Sequence, residues 1–281
     1  MEVIYQILEK VLPFSWIQYD FMKNALLAVL LLTPLFGMLG TLIVNNRMAF
    51  FSDALGHSAL TGMGIGVLLG VANTSLAMAI FGLCFALVLN WIKRRNSISN
   101  DTIISVFSSL STAIGLVILS RGGNFSKYSG MLVGDILSIT PREILLLLVI
   151  LVIALVFWFF CYNQLHEISI NASLARSRGI RVNWYENGLA MLLALIVMCS
   201  IEWVGILIIN ALLILPAASA RNLASNTREY HLFSLMISIF SGVSGLIFSY
   251  YNDVAAGPTI VVVAAVIFFA TLLVKPKVKG N

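Results

Sequence analysis

Charge is what this sequence lacks most. Only 10% of its 281 residues are Asp, Glu, Lys or Arg, against about 25% in a soluble domain. With 60% hydrophobic residues and a mean hydropathy of +0.99, the chain has too few polar groups to cover a water-facing surface. Lipid must be its solvent. Cysteine is sparse as well. Cys84, Cys161 and Cys199 sit in apolar runs without CxxC spacing, which argues against a disulfide framework and against a thiolate metal clip.

Enzyme signatures are missing or incomplete. No GxxxxGK[ST] phosphate loop occurs, so the chain cannot hydrolyse ATP by that route. His166-Glu-Ile-Ser-Ile170 opens like a zinc-protease helix but has no second histidine, and hence no ligand pair. Gly242-Val-Ser-Gly245 has the outline of an intramembrane serine nucleophile, yet no histidine follows His231 to act as base. The chain reads as a non-enzyme. A cleavable signal peptide is also not expected, because Glu2, Glu9, Pro13 and Asp20 interrupt the first apolar stretch. Residues 1–21 read instead as an amphipathic lead-in.

What is present is a series of apolar runs. A spanning helix needs about 20 such residues, and candidates lie at Met22–Val44, Phe50–Leu69, Thr74–Ile92, Thr102–Ser120, Ile144–Tyr162, Gly188–Ile201, Val204–Ala220, Leu232–Tyr250 and Ala255–Val274. The expected fold is all-α, a polytopic transmembrane helix bundle of about 7–9 spans. The sixth and seventh runs are short and separated only by Glu202 and Trp203, so re-entry there lowers the count. Residues 22–274 form the membrane domain, and 275–281 a basic cytoplasmic tail.

The 17 basic residues set the orientation. With alternating spans, one side holds twelve: Arg47, Lys93, Arg94, Arg95, Arg176, Arg178, Arg181, Arg221, Arg228, Lys275, Lys277 and Lys279. The other holds five: Lys10, Lys23, Arg121, Lys127 and Arg142. Positive loops stay in the cytoplasm, which puts the C-terminus inside. The formal charge of +5 is thereby a topology signal scattered over separate loops, and nucleic-acid binding is excluded as a reading. Gly62, Gly66 and Gly70 recur every fourth residue, a spacing that lets helices approach closely in lipid, within the chain or across a dimer seam.

Ionisable groups inside a span cost at least about 2.5–3.5 kcal/mol and call for a reason. Asp53 and His57, four apart in Phe51-Ser-Asp-Ala-Leu-Gly-His-Ser58, fall on one helical face. A carboxylate and an imidazole there suit Zn²⁺ or Mn²⁺, with a second helix, a second subunit or water completing the shell. The competing reading is an Asp–His hydrogen bond that fixes two helices. Asp101 could cap its helix, Asp135, Glu202 and Asp253 read as outer loop carboxylates, and His166 and His231 as solvated histidines. The cytoplasmic loop Asn163–Asn187 contains Ala172–Ile180, a candidate short helix ended by Gly179 in a left-handed cap. It could lie on anionic lipid or dock into a cytosolic partner.

Several segments together resemble the permease subunits of bacterial ABC importers for zinc and manganese. Val204–Arg221, ending Leu-Pro-Ala-Ala-Ser-Ala-Arg, is similar to that family's run ending LPAATAR. Tyr250–Ile260 resembles its aspartate-then-Gly-Pro segment, Phe50–Ser58 its FGDTLAHAS motif, and Gly134-Asp135-Ile-Leu its GDLL. The chain departs from the pattern at Gly56 and Asn210. The resemblance implies a multi-pass protein of the bacterial inner membrane and a homodimer bound to two cytosolic ABC ATPase subunits. An extracytoplasmic metal-binding protein would feed it. Asp53 and His57 would line the path of the transported Zn²⁺ (or Mn²⁺), and Ser173, Leu174, Ala175, Arg176, Gly179 and Ile180 would couple to the ATPase. Gly-Asp-Ile-Leu-Ser-Ile-Thr and Ala-Ala-Gly-Pro-Thr-Ile read closer to the zinc members. An ion-driven secondary transporter using the Asp–His pair as a relay, and a membrane protein with no cargo, are the alternatives from other classes.

Overall fold

A computed structural model describes every residue except 1, 12–13, 72, 96–98, 122–133 and 279–281. Lys127, Lys279 and the end of the tail thus lie outside the described residues. The helices are α1 (Glu2–Val11), α2 (Asp20–Asn45), α3 (Ala49–Leu68), α4 (Thr74–Arg95), α5 (Asn100–Arg121), α6 (Pro141–Ile170), α7 (Ala172–Ser177), α8 (Val182–Val204), α9 (Ile206–Leu223), α10 (Thr227–Tyr251) and α11 (Ala256–Val278). Short 3₁₀ turns occupy Ser15–Gln18 and Ile136–Ser138. No strand occurs among the described residues, as expected where each backbone group must find its partner inside its own segment.

Eight of these helices are long and apolar enough to cross a membrane. α3 is not one of the eight, because Asp53, His57 and several glycines dilute it. Its 20 residues still measure about 30 Å at 1.5 Å per residue. It also runs antiparallel along α4, with Gly62 against Met78 and Phe81 and Gly66 against Ala77. Lying along α4 over this length, α3 is a ninth candidate span among the described residues.

Two expectations change. The loop Asn163–Asn187 is mostly helical, since α6 continues to Ile170 and α8 already starts at Val182. Hydropathy stops short where helix ends carry the polar side chains of the interface. The sixth run is consequently a full 23 residues, separated from α9 by Gly205 alone, at φ 81°.

Contacts divide the chain into two compact units, Met1–Thr41 with Asp135–Val156 and Leu207–Asn281, and Leu42–Gly134 with Phe157–Ile206. In the first, small residues let helices touch. Gly242 lies against Thr33 and Val29 of α2, Gly245 against the backbone of Ile260, and Gly40 against the Leu213 carbonyl. The hydroxyls of Ser234 and Ser238 donate to the carbonyls of Gly37 and Thr33, each at 2.7 Å. The Gly242–Gly245 segment is thus a packing surface. His231 is no solvated residue either, its Nδ1 lying 2.9 Å from the Thr41 hydroxyl.

The second unit packs α3 against α4, α5 and α8. α4 and α8 are antiparallel: Arg94 donates to Asn183 O at 3.0 Å and Asn187 Oδ1 at 2.9 Å at one end, and Ser75 donates to Glu202 Oε2 at 2.8 Å at the other. Glu202 is therefore a helix tie. At the first end Asn46, Lys93, Arg94 and Arg176 surround one cavity. The basic segments after α2, α4 and α6 converge there, which is the clustering the charge asymmetry requires of a cytoplasmic face. α3 and α5 run parallel, with Gly115 pressed onto the backbone of Leu60 and Thr61. Gly115→Val would force these helices apart. We expect it to cost about 1–3 kcal/mol, read as a lowered unfolding temperature of the purified chain, and an unchanged temperature would contradict the contact.

Candidate functional site

The site is built on α3, where the period of 3.6 residues carries Phe50, Asp53 and His57 along one face. Ser105, Ser108, Ser109 and Thr112 of α5 face them across a cavity of about 510 Å³. Asp53 Oδ1 and His57 Nε2 are 3.7 Å apart, with side chains 48% and 43% exposed. That separation is an ion-pair distance, beyond a hydrogen bond, and both groups stand on the same helix. The pair cannot be a bond that fixes two helices together. It presents a carboxylate oxygen and an imidazole nitrogen to a shared space, where a cation would also meet hydroxyl oxygens.

That hydroxyl row was missed in the sequence. Ser105-x-x-Ser-Ser-x-x-Thr112 has helical spacing inside an apolar span, and the repeated polar positions are the signal that could have revealed it. Gly56, also on α3, faces the other way, and a Cβ there would lie 2.8 Å from Ile206. The departure at Gly56 therefore concerns packing.

The other sequence candidates are not brought together with this pair. No group of three or more His, Cys, Asp or Glu able to hold a metal occurs among the described residues. Asp135 caps the following 3₁₀ turn, accepting from Leu137 N at 3.1 Å. Asp253 occupies the α10–α11 turn at φ 50°, and Asp101 opens α5. His166 stacks on Tyr162 with ring centroids 5.8 Å apart, so it too differs from a solvated histidine.

α7 forms as its sequence dictates. The Asn171 side chain accepts from Ser173 N and Leu174 N at 3.0 and 3.1 Å, satisfying orphan amides at the helix start. At its end Gly179 takes φ 84°, Gly179 N donates to Arg176 O at 3.0 Å and Ile180 N to Ala175 O at 3.1 Å. These two bonds make a Schellman cap. Ala175 and Ile180 pack against Ile168 and Val182, which fixes α7 to the ends of α6 and α8. Leu174 stays 50% exposed beside exposed Ser173, Arg176 and Arg178. A rigid, basic knob with an apolar tip is the result.

Residues 18–275 match the model of the ABC 3 transport family. A manganese transport system membrane protein, MntC, of Listeria innocua is 30% identical over 92% of this chain and 92% of its own length. A high-affinity zinc uptake system membrane protein, ZnuB, of Haemophilus influenzae is 30% identical over 90% of this chain and 97% of its own. The solved structure of PsaBC from Streptococcus pneumoniae, in complex with Fab, superposes with a TM-score of 0.79 at 27% identity, covering 99% of this chain and 97% of that one.

If the α3 pair holds a cation, Asp53→Asn and His57→Ala should each weaken zinc binding to the purified chain by about tenfold or more, since even outer-shell partners of a ligand are worth that much. Protons compete with metal for a neutral imidazole, so affinity should fall as pH is lowered. Titration calorimetry checks both. Affinity that is unaltered by either substitution would remove the pair from the site.

Proposed function

Because this chain belongs to the ABC 3 transport family, we propose that it is the membrane permease of an ATP-driven importer of divalent transition-metal ions, with zinc as the cargo. It is a multi-pass membrane transport subunit and not an enzyme. The observation that carries the metal reading is the Asp53–His57 pair facing a hydroxyl-lined cavity within a membrane-spanning helix. A carboxylate and an imidazole form a mixed oxygen–nitrogen donor set, which favours zinc over the harder manganese ion. Manganese remains the second reading, supported by the relatives named for manganese transport.

Two ligands do not fill a zinc shell of four. A second copy of the chain presenting its own Asp53 and His57 would supply four donors, and this is the ground for a homodimer with the path between copies. ATP hydrolysis belongs to separate cytosolic ATPase subunits and metal delivery to an extracytoplasmic binding protein. α7 is the segment that meets the ATPase: Leu174 enters a partner pocket, Arg176 and Ser173 flank it, and the capped end through Gly179 and Ile180 transmits the push to α6 and α8. ATP-driven closure then rocks the helices and opens the path past Asp53 and His57 to alternate sides.

Uptake of radioactive zinc and manganese by cells lacking their own importer, co-expressing this chain with its ATPase, tests the reading. Zinc uptake abolished by Asp53→Asn and His57→Ala at unchanged expression is the expected result, and uptake of neither metal by the parent chain would overturn it. Gly179→Ala meets no neighbour within 4 Å, so its only penalty is a left-handed backbone, about 1–2 kcal/mol. It should lower uptake while leaving zinc binding intact. Loss of both together would deny α7 a coupling role.

A further inference from the structure

Two cavities of the second unit meet at Arg94. One, of about 190 Å³, is polar and bordered by Asn90, Lys93, Arg94, Arg176 and Glu186. The other, of about 440 Å³, is an apolar groove on the outside of the bundle formed by Leu87, Val88 and Trp91, with Arg94 and Asn187 at its end. Three cations and one carboxylate leave the polar cavity with two positive charges in excess. Glu186 is already engaged by Arg94, Nη2 to Oε2 at 3.3 Å. Lys93 and Arg176 make no direct ion pair with a described residue; Lys93 lies over the Phe51 ring, 6.0 Å from its centroid, and feels the Glu186 and Asp101 carboxylates only at longer range.

The level of this site in the membrane is marked by its neighbours. Trp91 is 54% exposed and carries the Arg95 guanidinium 4.5 Å above its ring, while Trp184 is 65% exposed. Amphipathic rings beside cations belong at the headgroup boundary, and the basic residues identify that boundary as the cytoplasmic one. An apolar groove opening to hydrocarbon and ending in a cationic pocket at headgroup depth has the two halves of a phospholipid as its complement.

We propose that this double cavity is a binding site for an anionic phospholipid of the cytoplasmic leaflet. Its phosphate sits among Lys93, Arg94 and Arg176, and an acyl chain lies along Leu87, Val88 and Trp91. The Arg94 guanidinium has five donors, so the bonds it makes to Asn183, Glu186 and Asn187 leave some for phosphate. A basic pocket between helix ends on the cytoplasmic side is a recognised way of holding an anionic headgroup. Because Arg176 stands on α7, bound lipid would also brace the segment assigned to coupling, and that regulatory consequence alone rests on the importer reading.

The test is native mass spectrometry of the full-length chain released from vesicles of phosphatidylglycerol and phosphatidylethanolamine in equal amounts. Retention of phosphatidylglycerol in preference is expected, weakened about fivefold by Lys93→Gln and by Arg176→Gln. Lys93→Arg should restore it, which separates lost charge from a misfolded chain. Arg228→Gln, which removes a cation from another cytoplasmic loop, should change nothing. An equal loss with Arg228→Gln would reduce the effect to general surface attraction and overturn the site. Inorganic phosphate displacing the lipid at comparable concentration, with Leu87→Ser and Val88→Ser without effect, would make the ligand a free phosphate and overturn the lipid reading. A chain that moves no metal yet selects phosphatidylglycerol would fail as an importer and leave this proposal standing.

Discussion

An ionisable pair held within a membrane-spanning helix is the constraint from which much else follows. Lipid cannot solvate Asp53 and His57, so α3 must be surrounded by protein on most sides and must open only towards a polar space. α4, α5 and α8 supply the surround, and the serine–threonine face of α5 supplies the polarity. The crowding of α3 explains its glycines. Gly62 and Gly66 admit α4, Gly64 admits Ile118, and Gly115 of α5 returns the favour from the other side. The same dilution with small and polar residues keeps α3 below the hydropathy of the other eight long helices.

Much of this was legible in the amino-acid order. The helical class, the cytoplasmic clustering of basic segments, the shared face of Asp53 and His57, and the left-handed end at Gly179 follow from local rules of hydropathy, period and capping. Gly62 and Gly66 proved to be packing positions within the chain, while Gly70, the third member of the series, follows α3 at φ 66°, where an added Cβ would meet nothing within 4 Å. A spacing rule sees three equivalent glycines, and only the fold tells a contact from a turn.

What escaped the sequence lies where tertiary structure decides. The extension of α8 back to Val182 passes through Asn183, Glu186 and Asn187, polar residues that lower hydropathy but bond Asn90 and Arg94 of α4. His231 and Glu202 looked like solvated ends until their partners, Thr41 and Ser75, were placed beside them across large separations in sequence. The α5 hydroxyls were visible as residues and invisible as a site, because nothing local reveals that they face Asp53.

On the proposed reading, chemistry and drive are kept apart in this transport subunit, with the Asp53–His57 pair on α3 and the capped, basic α7 at the cytoplasmic end. The central claim is that imidazoles from His57 hold the cargo between two copies of the chain. X-ray absorption at the zinc edge of the metal-loaded permease reads this directly. The account predicts a shell of nitrogen and oxygen only, with two imidazoles per zinc that vanish in His57→Ala. A sulfur neighbour, or an unchanged imidazole signal in that variant, would contradict it.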